Sequence, residues 1–410
     1  MPIVDMKDML QHAYEHNYAV GAFEVVSLSF LDGIMSAAEK ARAPVILSLA
    51  ESHLEQFDFD LIMPAVEAAA RRAHVPVALH FDHGTCLDSA INGINRGCNG
   101  VLVDLSHLDF SENTRLTKEI VKTMHGCGVS VEGELGYVPG TEGEGAEIYP
   151  GELAYTSLAE AKAYVERTGI DFLAVSIGTV HGRMKGKPKL DYTRLKQINE
   201  ALNMPLVVHG GSGLSDDQYR RLIANGITKI NYYTAMSDIA AKQINNNARS
   251  ATSHSYASIM KDINKAVGDE VERCLRLWGT AGRAAEVLAQ CQPWNPVEHV
   301  IIYNVDHLNT QGIERMMSEG KRVLSQIPGV REVITGEALK RDAAYRYSWI
   351  VRFCHPAVID SYREHPAHVA FADNLFRPVA TKRISIDYQE KLQSPPIASY
   401  SQPQRRVIPS

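Results

Sequence analysis

The sequence predicts an α/β fold, a (β/α)8 (TIM) barrel, followed by a smaller ferredoxin-like α+β domain. Three observations carry this. Eight short β-rich apolar runs recur between residues 18 and 233, each followed by a helix-like stretch. Their starts lie 22 to 42 residues apart, room for one helix and two loops. Beyond residue 297 the order changes to strand, helix, two strands, helix, strand. The interiors of the eight runs are apolar throughout, as in parallel strands covered on both faces. Eight such units close a barrel; an open doubly wound sheet is the rival on strand count alone.

In order, the runs are YAVGAFEV (18–25), PVILSLA (44–50), PVALHFD (76–82), GVLVDLS (100–106), SVEGELG (130–136), FLAVSIG (172–178), PLVVHGG (205–211) and ITKINYY (227–233). Between the first and second, SFLDGIMSAAEKARA (29–43) reads as a helix with Ser29 as its N-cap, and FDLIMPAVEAAARRA (59–73) carries a broad apolar stripe. The pattern runs on to about residue 288, where CQPWNPVEH breaks it with two prolines in four residues. We therefore expect a barrel over 1–288, a linker over 289–297, the ferredoxin-like β-α-β-β-α-β unit over 298–389, and a tail over 390–410, rich in Pro, Ser and Gln, that forms an arm or stays disordered.

Composition narrows the function classes. A formal net charge of -6 gives no general reason to bind nucleic acid or an anionic membrane, so any phosphate site must be local. No run of about 18 uncharged apolar residues is present to span a bilayer. The six cysteines form no CxxC pair and the start lacks the pattern of a signal peptide, which points to a reduced, cytoplasmic setting.

Polar residues gather at the strand ends: Asp82 and His83 after the third strand, Asp104 after the fourth, Glu132 and Glu134 on the fifth, His181 past the sixth, His209 ending the seventh and Asn231 on the eighth. In a barrel these ends share one rim, where active sites sit. Three imidazoles on that rim (His83, His181, His209) suit a catalytic Zn2+ or similar divalent metal with one position open to substrate. Each histidine alone reads as a hydrogen-bonded strand end; the set of three favours the metal. Asp82 would stand beside such a site as a general acid/base or as a support for a ligand, and His80 reads as strand packing. HGGSGLS (209–215), Gly-rich and ahead of a helix, is suited to cradle an anion together with NYYTAMSD after the eighth strand. GYVPGTEGEGAEIYPGE (136–152) reads as a lid that brings Glu142 or Glu144 to the site, or as a solvated loop.

HFDHG, VLVDLSHL, SVEGELG with its Gly-rich loop, AVSIGTVHG, PLVVHGGSGL, KINYYTAMS and WGTAGRA together resemble the class II, metal-dependent ketose-bisphosphate aldolases, over residues 1 to 288. The resemblance implies a carbon–carbon lyase that cleaves a ketose (bis)phosphate to dihydroxyacetone phosphate and an aldehyde through a metal-stabilised enediolate. It implies His83, His181 and His209 as metal ligands, Asp104 and Glu134 at an alternative or second metal position, and Asp82 as the acid at the aldehyde oxygen. By the same likeness Glu142 is the base at the dihydroxyacetone phosphate carbon. Gly182, Gly210, Gly211 and Ser212 fall at the phosphate, Asn231 and Thr234 at the substrate loop, and Na+ or K+ assists the phosphate site.

A lysine Schiff base at Lys229 is the discarded alternative, because it leaves the histidines unexplained. Tyr233 and Ala50 depart from the family pattern and put the aldehyde half of the pocket in question. Residues 298–389, with EHVIIYNV, IPGV and HPAHVAFADNLFRP, resemble a stress-responsive A/B barrel (Dabb) domain. This implies a homo-oligomer, dimer or tetramer, paired through the C-terminal domain. His299, His365 and His368 are its candidate functional residues, against a purely dimerising role. Two further readings stay open: a non-catalytic, regulatory aldolase-like binding protein, and a bifunctional enzyme whose second domain acts on the aldolase product.

Overall fold

A computed structural model describes residues 2–138, 155–183, 189–250 and 255–389. Strands β1 (Val20–Glu24), β2 (Val45–Ala50), β3 (Val77–Gly84), β4 (Gly100–Val103), β5 (Ser130–Leu135), β6 (Phe172–Val175), β7 (Leu206–Val208) and β8 (Ile227–Tyr232) form a closed barrel in sequence order. Every pairing is parallel, and β8 closes on β1 with Asn231 opposite Ala22. All eight apolar runs are strands, so the rival open sheet is excluded.

Helices between the strands bury the barrel's outer face. The first of them is Leu28–Ala41, and its N-cap is Ser27 rather than Ser29: the Ser27 hydroxyl accepts from the Phe30 amide at 3.3 Å, and Ser29 lies inside the first turn. Helix Met6–Glu15 closes the bottom of the barrel, where Met6, Met9 and Leu10 pack with the inward residues Ile46, Ala78, Phe172 and Val207. The interior is thus apolar below. Above that layer it turns polar, with Ser48, His80, Glu132 and Lys229 all buried.

The C-terminal unit comprises β9 (Val297–Val305), helix Thr310–Leu324, β10 (Val330–Glu337), β11 (Tyr347–Phe353), helices Val358–Glu364 and Pro366–Phe371, and β12 (Ala380–Gln389). The sheet is antiparallel in the order β10-β11-β9-β12, the ferredoxin-like arrangement the sequence predicts. Its helices cover one face. On the other, Ile334, Ile384, Ile386 and Tyr388 are exposed.

The two units meet at the barrel's bottom. Asn95, at the end of its helix, accepts from the Gly329 amide (2.7 Å) and donates to the Ile327 carbonyl (3.2 Å), while Arg331 forms a partly buried ion pair with Glu67 (2.5 Å). Trp294 of the connecting segment stacks on His355 (4.4 Å between ring centres). Among the described residues no helix is long and apolar enough to cross a membrane. The lid stretch with Glu142 and Glu144, and the tail from 390, lie outside the described residues.

Candidate active site

Strand alternation builds the rim. Residues two apart on a strand point the same way, and three such pairs enter the barrel: His80 with Asp82, Glu132 with Glu134, Lys229 with Asn231. All six are buried. His83 follows Asp82 but has a left-handed backbone, φ 49°, uncommon outside glycine; strain of this kind persists where the surroundings hold it. It turns the imidazole towards His181 and His209, with ring centres 4.9 and 4.8 Å away.

The tautomers follow from the hydrogen bonds. Glu132 is 2.8 Å from His209 Nε2, and as a carboxylate it accepts, so His209 Nδ1 keeps its lone pair. That nitrogen lies 3.0 Å from His83 Nε2. His83 Nδ1 stands 3.6 Å from Asp104. His181 Nδ1 donates to the Val138 carbonyl at 3.1 Å, and its Nε2 is buried without a hydrogen-bond partner. Burial, then the neighbouring imidazoles, push His181 and His209 well below the usual histidine range, so both are neutral and present lone pairs.

The ligand atoms of His83, His181 and His209 all lie within 4.8 Å of one another. A second cluster, His83 with Asp104 and Glu134, meets the same limit. Burial would raise the Asp104 carboxyl, but its bonds to His83 and Ser106 outweigh this and hold it below the carboxylate range. Glu134 goes the other way: burial, then the charge of Asp104, raise it well above, and neither of its oxygens has a hydrogen-bond partner.

Asp82 Oδ2 accepts from Asn231 Nδ2 at 2.7 Å and from Ser48 at 3.4 Å; Oδ1 has no hydrogen-bond partner and faces His80 at 3.8 Å. Burial, then Lys229, lower His80 to about 3, so it sits neutral in the core. Lys229 pairs with Glu132 (2.8 Å) and donates to Asn231 Oδ1 (2.7 Å), which orients the Asn231 amide with its NH2 towards Asp82. Sequence reasoning weighed Lys229 only as a Schiff-base lysine and gave Glu132 no task. The period-two spacing to Asn231 and Glu134 was the available signal.

Gly182, Gly210, Ser212 and Thr234 line a cavity of about 230 Å3 beside this centre, together with Arg183 and Asp238, which form an ion pair. The cavity opens at the N-terminus of helix Thr234–Ser250, and Ser212 Oγ accepts from the Ala235 amide at 3.2 Å. Gly210 has φ 64°, and a Cβ there would come 2.2 Å from the Val180 carbonyl oxygen. Gly211 instead packs on β8, where a Cβ would meet Ile230 and the Asn231 carbonyl. Next to Thr234, Tyr233 lies against His53 (4.6 Å between centres), and His53 is 3.7 Å from the buried Glu24.

The family model of class-II fructose-bisphosphate aldolase matches residues 4–283. The chain belongs to the class II fructose-bisphosphate aldolase family, a family of carbon–carbon lyases. A fructose-bisphosphate aldolase of Staphylococcus epidermidis is 35% identical over 290 residues, covering 69% of this chain and 100% of the relative. One from Staphylococcus aureus is 35% identical over 291 residues, with the same coverage. Among solved structures, the YdjI aldolase from Escherichia coli K12 is similar at 33% identity and a TM-score of 0.62, over 69% of this chain and 99% of that one. Residues 297–390 match the model of the stress responsive A/B barrel domain, so this aldolase-family chain carries a Dabb unit behind its barrel.

Proposed function

We infer that the chain reversibly cleaves a ketose phosphate into dihydroxyacetone phosphate and an aldehyde, using a divalent cation, Zn2+ in the first instance, held by His83, His181 and His209. One observation carries this reading: three imidazoles with converging nitrogens stand beside a buried aspartate, Asp82, linked to His209 through the Asn231 amide. The donor set fits the cation. His181 Nε2 is buried and unpartnered, His209 is fixed in the tautomer that frees Nδ1, and Glu134 with Asp104 offers a second position. When bound, the cation supplies a Lewis acid for the charge that develops on substrate oxygen.

The chain's own groups do the rest. Asp82 takes the hydroxyl proton at the bond being cleaved and returns it to the aldehyde oxygen in condensation. Asn231 holds the Asp82 carboxylate in place through its Oδ2. Glu142, assigned on the family resemblance, exchanges the proton at the dihydroxyacetone phosphate carbon. The phosphate rests on the amides of Gly182, Gly210, Gly211 and Ser212 at the helix start by Thr234, with Arg183 and a Na+ or K+ ion as positive partners. Tyr233 and His53 wall the aldehyde half and set which aldehyde fits. This complete constellation supports turnover over a regulatory role.

A second copy of the chain covers the outer face of the C-terminal sheet, supported by the exposed Ile334, Ile384 and Ile386 there. Ile384→Asp should then yield monomers in sedimentation. The six cysteines are all unbridged, which supports a reducing cytoplasmic setting. For the activity itself, a cleavage assay over a panel of ketose phosphates is expected to show turnover that EDTA abolishes and Zn2+ restores. Turnover of every substrate untouched by EDTA would sink the reading.

A further inference from the structure

Glu24, at the end of β1, is a buried carboxylate outside both metal clusters and the phosphate cavity. Strand alternation turns it inward, because Val20 and Ala22 of the same strand lie in the barrel's interior layer. On one flank it is level with Ser48 of β2. On the other, β8 pairs Asn231 with Ala22, so Tyr233 comes level with Glu24.

The two oxygens of Glu24 differ. Oε2 accepts from the Ala50 amide at 2.9 Å, with the His53 imidazole 3.7 Å away. Oε1 is buried and has no hydrogen-bond partner. Burial would raise this carboxyl, but His53, then the Ser48 hydroxyl and the Ala50 amide, outweigh it and hold the group below the usual carboxylate range. An enclosed anion that is short of a donor is costly, so a bound molecule that supplies one is favoured.

Ser48 connects this carboxylate to the reaction. Its hydroxyl donates to Asp82 Oδ2 at 3.4 Å and also helps to hold Glu24 as the anion, so one side chain stands between the two acids. Charge on this side of the rim is of one sign. Strands β1 to β3 and the segments that follow them, residues 25–27, 51–58 and 85–86, contain no lysine or arginine. Glu51 adds a second carboxylate there, its Oε2 accepting from the Thr85 amide at 2.6 Å. The buried Lys229 of β8 is committed to Glu132 and Asn231, at 2.8 and 2.7 Å. The phosphate cavity, by contrast, includes Arg183.

We propose that Glu24 sets the substrate class: it accepts a hydroxyl of the aldehyde half and excludes a second phosphate there, so the chain cleaves a ketose 1-phosphate to dihydroxyacetone phosphate and an unphosphorylated hydroxyaldehyde. This rests on the aldolase reading, with Asp82 serving the oxygen at which the aldehyde half begins. A hydroxyl satisfies Oε1 and adds no charge. A phosphate brings close to two negative charges and only acceptor oxygens to a carboxylate that has no donor to give. His53, the basic group of the segment after β2, already faces Glu24 and Tyr233.

Two measurements on the Zn2+-loaded full chain separate this proposal from the reading beneath it. Solvent deuterium exchange into dihydroxyacetone phosphate, without any aldehyde, reports the aldolase chemistry alone. Condensation of dihydroxyacetone phosphate with racemic glyceraldehyde and with racemic glyceraldehyde 3-phosphate then reports the aldehyde half, whatever the sugar's stereochemistry. The unphosphorylated aldehyde is expected to lead in kcat/KM by at least about tenfold. Glu24→Gln, which removes the charge and keeps the shape, should narrow or reverse that preference by about tenfold or more, slowing glyceraldehyde and speeding its phosphate. A uniform change on both aldehydes makes Glu24 a mere support of the Ala50 amide and overturns the proposal. The wild-type comparison stands without the variant: glyceraldehyde 3-phosphate used as well as glyceraldehyde, or better, overturns it. Exchange with neither aldehyde accepted overturns it too and leaves the aldolase reading standing. Absence of exchange and of condensation removes both.

Discussion

The barrel rim and the C-terminal cavity are both hollows lined with histidines, but they treat charge in opposite ways. On the rim, Glu132, Lys229 and Asp82 are fully buried, and each is answered by another buried group at 2.7–2.8 Å. In the C-terminal cavity the core is aromatic and the guanidiniums stay towards solvent. A site that must move protons and hold a cation needs charges in low dielectric, where they act strongly and must be mutually compensated. The aromatic hollow, with its rings inside, leaves its charges at the edge.

The largest effect that breaks this contrast is at Asp82. Asp82→Ala should lower ketose phosphate cleavage by about 10²–10⁴-fold, the usual worth of a positioned acid/base, while the fold of the C-terminal unit is unaffected. Full retained cleavage would remove Asp82 from the chemistry. Next comes Lys229→Met, which strands the Glu132 carboxylate in the core. Urea unfolding should show a loss of about 3–5 kcal/mol, much of it recovered in the double variant with Glu132→Gln. No difference between single and double variants would mean that the pair is not coupled.

Glu67 and Arg331 sharpen the comparison, since they are a partly buried pair between the two units and not within a site. Burial raises Glu67, but the hydrogen bond and charge of Arg331, then Arg71, outweigh it and bring the carboxyl from its ordinary 4.5 to about 2. A lowered folded value means the contribution, on the order of 3 kcal/mol, is full above pH 4.5 and is lost as the pH falls from there towards 2. The stability gap between wild type and Glu67→Gln should therefore be widest at neutral pH and close on acidification; a gap independent of pH would refute the pairing. The smallest change expected is at Ser27→Ala, about 1 kcal/mol for a lost helix cap, with Ser29→Ala near neutral. Equal losses at both serines would restore Ser29 as the cap.

That serine shows where the sequence stopped being legible. Ser27 and Ser29 both precede the same apolar periodicity, and only the approach of the chain from β1 decides which hydroxyl meets a free amide. The eight strands were legible because parallel strands buried on both faces are apolar along their length. The rim was legible in outline because barrel closure brings every strand end to one side. The pairing of Glu132 with Lys229 was not, because a local pattern does not say which face of a strand looks into the barrel; once closure is known, their spacing from Glu134 and Asn231 places both inside. The lining of the C-terminal cavity was equally hidden, since the shift that brings Arg383 to it is a single extra residue in β12.

The docking of the C-terminal unit on the strand-start end of the barrel has a consequence for traffic. The catalytic mouth lies at the other end of the barrel from this unit. A sugar phosphate therefore reaches the mouth without passing the C-terminal unit.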